Sequence, residues 1–275
     1  MKLLSEKGET FFDAALERPE LRALNGGVAA VWTRPWAPGE APNEDAVALL
    51  ELDGGRALLA LADGCGGQPQ GEKAAKLALQ TLLRTVRESC SGGAELREAI
   101  LNGLEEANLA LRGQLAGSAS TLAAVEIQGR VIRPYHVGDS EVLVAGARGK
   151  LKLRTISHSP TGYGMESGLL DERDALRHEE RHLVSNLIGN EAMRIEVGAA
   201  LELSERDTVL IASDGLWDNL HTDEILQRLC IWPLERAMTG LAEGCLKRML
   251  EPREGKPSKP DDVSLVAYRP RKTVR

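Results

Sequence analysis

The sequence predicts an α+β domain in which antiparallel sheets carry helices on their outer faces. Three observations lead there. Short apolar runs joined by tight turn residues recur early, in the middle and at the end of the chain. A block of helical periodicity, 71–115, interrupts them, and two further helical stretches separate the last two runs. No repeat, low-complexity block or long linker divides the 275 residues, so one domain is expected.

Taken in order, residues 1–26 are expected to form an N-terminal extension, packed on or preceding a domain over 27–275, with a short helix around 11–16. Residues 38–42 (PGEAP) form a loop that cannot sit inside a sheet. AVALLEL (46–52) and RALLALA (56–62) are two strands of a hairpin, joined by Asp53-Gly54-Gly55. From Gly71, the residues Ala74, Ala75, Ala78, Leu82 and Val86 recur at helical spacing up to a Ser-Gly-Gly break at 91–93, and a second helix runs from Ala94 to about Leu115. Four strands follow as an antiparallel meander at 120–128, 130–137, 141–147 and 150–156. The stretch 157–192 lacks strand patterning, carries a charged, helical segment (DERDALRHEERHLVSNLI), and is a candidate flap over a site. A buried strand at 207–213, helices at about 222–230 and 233–251, and a closing strand at 263–268 complete the order.

Composition narrows the function. With 34 Lys+Arg against 41 Asp+Glu the formal charge is −7, and no stretch supplies the clustered cation that phosphate backbones require, so nucleic acid is excluded as a partner. No run approaches the roughly 18 apolar residues of a membrane span, and the N-terminus lacks a signal-peptide core. The four cysteines have no metal or redox spacing and read as reduced thiols, so the expected compartment is the cytoplasm.

The chemistry lies in carboxylates at strand ends: Asn43-Glu44-Asp45 before the hairpin, Asp63-Gly64 after it, Asp214-Gly215 after IAS, and Asp261-Asp262 before the last strand. Acids gathered there repel unless a cation compensates, and an all-oxygen donor set suits Mg²⁺ or Mn²⁺. Each cluster alone also has a plain reading as a turn, a cap or a solvated loop.

Together, and in this order, the motifs resemble those of the metal-dependent type-2C protein serine/threonine phosphatases over roughly residues 43–268. Asn43-Glu44-Asp45, ADGCGGQPQGEKAA (62–75), GSAS-T (117–121), HVGDSEV (136–142), ASDGLWDNL (212–220) and DDVSLVAY (261–268) match the family's successive motifs. The resemblance implies a four-layer α-β-β-α sandwich with a two-metal centre at one edge. Asp63 would bridge both ions, and Asp214 and Asp261 would complete the first. The Gly64 carbonyl with Asp45 and Glu44 would serve the second. Asp139 would hold a third ion, as in bacterial-type members. Asp261 is preferred to Asp262 because the family's ligand is the first of the pair. The implied reaction is attack on phosphorus by a metal-activated water, with no covalent intermediate.

Three positions depart from the family pattern. Glu40 stands where a phosphate-gripping Arg is usual, leaving Arg34 as the nearest candidate; Gln68 replaces a His that protonates the leaving group; Glu141 replaces an Arg after Gly-Asp-Ser. None of the histidines is assigned to catalysis, although His136, just before Asp139, is placed to support a ligand. The expected activity is Mn²⁺- or Mg²⁺-dependent hydrolysis of phosphoserine and phosphothreonine in proteins, opposite a cognate Ser/Thr kinase. Two rivals follow from the departures: a pseudophosphatase acting as a binding module, and a phosphatase of a small phosphorylated metabolite.

Overall fold

A computed structural model describes residues 7–36, 41–65 and 70–270. Two antiparallel sheets pack face to face. The first comprises β1 (Lys7–Phe12), β4 (Asp45–Leu52), β5 (Arg56–Asp63), β6 (Leu122–Gln128), β7 (Val131–Val137) and β10 (Glu196–Val197) in that spatial order, with β11 (Leu201–Glu202) also on β7. The second runs β2 (Glu20–Leu24), β3 (Gly27–Arg34), β13 (Val263–Arg269), β12 (Thr208–Ala212), β8 (Glu141–Ala145), β9 (Leu151–Arg154).

Helices α1 (Gly71–Ser91) and α2 (Leu96–Gln114) cover the first sheet, while α6 (Thr222–Leu229) and α7 (Leu234–Leu250) cover the second. Alternation along β5 shows why its sequence reads as a continuous apolar run. Leu58 and Ala60 face α1 and α2, packing with Ala78 and Leu82, whereas Leu59 and Leu61 face the other sheet, packing with Val144, Ile211 and Val266. Both faces are dry, so neither position of the period-2 repeat is polar. Trp32, Leu210 and Leu265 form a third layer with Leu241 and Met249 of α7. The four layers are those the sequence predicts.

Four expectations change. The short helix around 11–16 is not formed: β1 pairs with β4 from Lys7↔Glu51 to Phe12↔Ala46. β2 pairs with β3 through Asn25-Gly26, both at positive φ (46° and 67°), so the boundary expected at residue 26 falls inside a hairpin. The middle strands are not one meander. β6 and β7 belong to the first sheet, β8 and β9 to the second, and the chain crosses between sheets at Gly138-Asp139-Ser140. In the flap region the charged stretch forms only α4 (Glu172–Ala175) and a single 3₁₀ turn, Glu179–His182, after α3 (Pro160–Glu166).

Candidate metal centre and active site

The two sheets end together at one edge, where the acidic clusters meet. Asp45 and Asp63 are a directly opposed pair across β4 and β5, an arrangement of like charges that a strand pair does not tolerate without compensation. Neighbouring groups fix both. Asn43 donates to the Ala14 carbonyl (2.8 Å) and Thr33 Oγ1 (2.7 Å) while its Oδ1 accepts from the Asp45 N–H (3.0 Å). Ser213, entering α5 (Asp214–Trp217), donates to Asp45 Oδ2 at 2.9 Å, tying the second sheet to the first. Asp63 is held through its backbone, its carbonyl accepting from Ser120 Oγ and the Thr121 N–H (both 2.8 Å). Thr121 in turn touches Ser140 (2.7 Å), beside Asp139. Gly138, at φ 107°, brings that turn so close to Thr121 that a Cβ would stand 2.6 Å from the threonine side chain.

Gly64 satisfies a different constraint. A Cβ there would lie 2.2 Å from the Gly71 carbonyl oxygen, and one on Gly71 would lie 2.8 Å from Glu44 Oε1. The two glycines let the start of α1 close over Glu44. Among the described residues no donor reaches the Gly64 carbonyl oxygen or the Asp63 carboxylate.

The electrostatics are those of a cation site. Removal from water, then Asp45, Asp214, Asp261 and Asp139, raises the Asp63 pKa well above the carboxylate range. Burial followed by Asp262 and Asp214 does the same to Asp45, and burial followed by Asp214 and Asp218 to Asp139. Asp261 is pushed up to about 7 and Asp218 to about 6, each by burial and then Asp214. Asp45 Oδ1 is buried with no hydrogen-bond partner. A buried, unpaired oxygen among crowded carboxylates fits an ion that supplies positive charge and takes oxygen ligands. Cys65 supplies no thiolate here: burial, then Asp139 and Asp214, drives its pKa up to about 12.

Asp45, Asp63, Gly64, Asp139, Asp214 and Asp261 are thus brought together, with Glu44 beside them. Asp262 differs from Asp261: its two oxygens accept from the backbone N–H groups of Trp36 and Glu44 (both 2.8 Å). Arg34 ends β3 opposite Val263, and among the described residues its guanidinium makes no hydrogen bond or ion pair. Glu40 and Gln68 lie outside the described residues.

A cleft opens from Asp139, Asp214 and Asp218 towards the flap, walled by Ser157, Thr161, Met165, Leu176 and Arg181. Its floor explains Glu141. Arg154 makes a two-pronged pair with Glu141 (2.7 and 3.0 Å), reaches Glu172 of α4 (3.4 Å) and Thr222 Oγ1 (2.6 Å), and lies 4.9 Å over the Trp217 ring. The acid after Gly-Asp-Ser therefore anchors a buried arginine beneath the flap. Sequence reasoning missed this pairing, since nothing in the chain marks residues 13 apart on adjacent strands as partners.

It also missed Lys259, whose Nζ contacts Asp214 Oδ2 and lies 3.0 Å from Asp261 and 3.1 Å from Asp218. A cation two residues before an acidic pair was the available signal.

His136 and His158 stack at 4.3 Å beside Glu196. His158 Nδ1 accepts from the Gly138 N–H (3.1 Å) and from Asn186 (2.9 Å), which leaves its proton on Nε2, facing Glu196 at 3.1 Å. That tautomer withholds the Nε2 lone pair from a metal, so the cluster serves as a brace between the Asp139 turn and the flap.

The chain is similar to known proteins over most of its length. The family described as Protein phosphatase 2C matches residues 38–250. A putative protein phosphatase 2C-type from Streptococcus pyogenes serotype M6 is 26% identical over 191 residues, covering 67% of this chain and 77% of that protein. The serine/threonine protein phosphatase PstP of Mycobacterium tuberculosis is 29% identical over 214 residues, 75% of this chain, which spans 40% of PstP's length. Among solved structures, the S. agalactiae serine/threonine phosphatase superposes with a TM-score of 0.71 at 25% identity, covering 88% of this chain and 98% of that one. The catalytic domain of PstP in complex with two manganese ions gives 0.69 at 25% identity, covering 89% and 98%. The chain belongs to the protein phosphatase 2C family.

Proposed function

We propose that this chain is a Mn²⁺- or Mg²⁺-dependent hydrolase of phosphoserine and phosphothreonine in proteins, acting opposite a Ser/Thr kinase in the cytoplasm. The observation that carries the reading is the meeting of Asp45, Asp63, Asp139, Asp214 and Asp261 at one sheet edge, with Asp45 Oδ1 buried and unpartnered. Asp63 would be shared by two ions, Asp214 and Asp261 serving one, and the Gly64 carbonyl, Asp45 and Glu44 the other, with Asp139 available to a third. Bound there, the ions supply an activated water and neutralise phosphoryl charge. The chain's own residues then do the rest. Ser213 and Asn43 hold Asp45 in one orientation, Ser120 and Thr121 hold Asp63, and the crowded acids repel any phosphate that arrives without metal. Arg34 is the proposed protein contact to substrate phosphate. The cleft walled by Ser157, Thr161, Met165, Leu176 and Arg181 leads from these acids to the flap and is the proposed path of the phosphorylated peptide segment.

Support for the cytoplasm comes from the thiols of Cys65, Cys230 and Cys245, which form no disulfide; among the described residues no helix is long and apolar enough to cross a membrane. The test is Mn²⁺-dependent release of phosphate from a phosphothreonine peptide. Wild type is expected to turn over, while Asp63→Asn and Asp214→Ala fold normally and do not. A wild-type rate no higher than that of Asp63→Asn would favour the pseudophosphatase, and turnover confined to small phosphate esters would favour the metabolite enzyme.

A further inference from the structure

Lys259 stands where the proposed metal site should be most hostile to a protein cation. Its Nζ touches Asp214 Oδ2 and lies 3.0 Å from Asp261 Oδ2, the two carboxylates expected to share one ion, and 3.1 Å from Asp218 Oδ2. An ammonium and a divalent ion cannot both bind those oxygens. At such separations the repulsion between them is strong even where solvent and protein partly screen it.

The lysine is aimed there by its backbone. Asn219, fully buried, accepts from the Lys259 N–H (2.9 Å) and donates to its carbonyl (2.8 Å), with the same amide nitrogen also reaching the Gly215 carbonyl (2.9 Å). Pro260 follows, and Gly215 allows Asp262 to pack so close that a Cβ would meet its carbonyl oxygen at 2.0 Å. Before it, Ser258 donates to the Arg248 carbonyl (3.0 Å) and accepts at its own carbonyl from Arg181 of the flap (3.1 Å). The backbone is fixed at both ends and the four-carbon stem is not, so the ammonium can leave while its root stays. Asp218 gives it somewhere to go. Its carboxylate lines the cleft as that of Asp214 does, and its buried Oδ2, although within ion-pair distance of Lys259, makes no directed hydrogen bond and so has room for one.

We propose that Lys259 is an internal competitor for the divalent ion: its ammonium holds Asp214 and Asp261 until metal binds, then withdraws towards Asp218. This rests on the metal-site reading above and adds that the affinity of the Asp214–Asp261 position is set by the displacement of this one side chain. The lysine would also stabilise the metal-free fold by compensating three carboxylates.

Calorimetric titration of the metal-stripped full chain with Mn²⁺, paired with thermal melting, tests it. Lys259→Gln should bind Mn²⁺ about tenfold more tightly than wild type, equivalent to about 1.4 kcal/mol, while its metal-free form melts lower; Lys259→Arg, which keeps the charge, should bind no more tightly than wild type. If metal-free Lys259→Gln melts too low to titrate, Asp218→Asn/Lys259→Gln removes one charge of each sign and is titrated instead. Equal or weaker Mn²⁺ binding by the lysine-free protein overturns the proposal. Asp63→Asn separates the two claims. Its loss of Mn²⁺ binding supports the metal site whatever Lys259 does, and Mn²⁺ binding that survives Asp63→Asn overturns the site itself.

Discussion

Replacing Glu141 by Ala tests whether the floor of the cleft is built as described. Arg154 is mostly buried, with its side chain 20% exposed against 4% for Glu141, and the substitution removes both prongs of its strongest pairing. Removing one partner of a buried ion pair costs about 3–5 kcal/mol. The lower end applies, since Glu172 and Thr222 remain within reach of the guanidinium. Unfolding entropy near 2.1 cal/mol/K per residue gives about 0.6 kcal/mol/K for a chain of this length, so ~3 kcal/mol lowers Tm by about 5 °C. Differential scanning calorimetry reads that directly. Glu141→Ala/Arg154→Met, which removes the stranded charge as well, should recover part of the loss. A fall below 1 °C for Glu141→Ala, or a double variant as unstable as the two single losses added, would refute the pairing and the anchoring of α4 and α6 through it.

Gly64→Ala should lower Tm and weaken Mn²⁺ binding together, because its Cβ collides with backbone at 2.2 Å and pushes the start of α1 off Glu44; retained wild-type Mn²⁺ affinity would show that this approach does not shape the site. The stacked histidines predict an acid response. Burial lowers the pKa values of His136 and His158 below the ordinary 6.5, so the unfolded chain takes up protons first as pH falls, and stability is complete above about 6.5 and declines below it. Each histidine contributes at most about 1.4 kcal/mol per pH unit. Between pH 7 and 5.5, wild type should therefore lose more Tm than His158→Gln does; parallel declines would contradict the buried, neutral stack.

The fold was legible wherever local pattern and final burial agree. Residues 46–52 and 56–62 read as a hairpin because both faces of the strands are apolar and Asp53-Gly54-Gly55 turns them, and the structure places Asp45 opposite Asp63 at its open end. The edge strand β1 was not legible. Its sequence, KGETFF, has no clean alternation, and it is a strand because β4 offers it a free edge, which is tertiary information. Asn25-Gly26 carries a hairpin signal in the sequence, and the hairpin that it turns joins the N-terminal segment to the second sheet. The short turn at Gly138-Asp139-Ser140 suggested a hairpin, yet a turn of that length can also pass a chain from one sheet to the other, and only the packing of both sheets decides between them.

For the site, strand-end acids were visible as a group because chemistry of one type recurs at corresponding positions. Their partners were not. Ser213 on Asp45, Asp262 on the Trp36 and Glu44 amides and Arg154 on Glu141 are contacts made by folding, between residues whose types alone suggest nothing; only Lys259, two residues before Asp261, carried a signal in the sequence.

The central claim is that Asp63 is the shared oxygen donor of a divalent-metal centre. Anomalous scattering from crystals soaked in Mn²⁺ tests it most directly. Two manganese peaks are expected, both on Asp63, one also against Asp214 and Asp261 and the other against the Gly64 carbonyl. Manganese elsewhere, or none at Asp63 in crystals that take up the ion, would contradict the account.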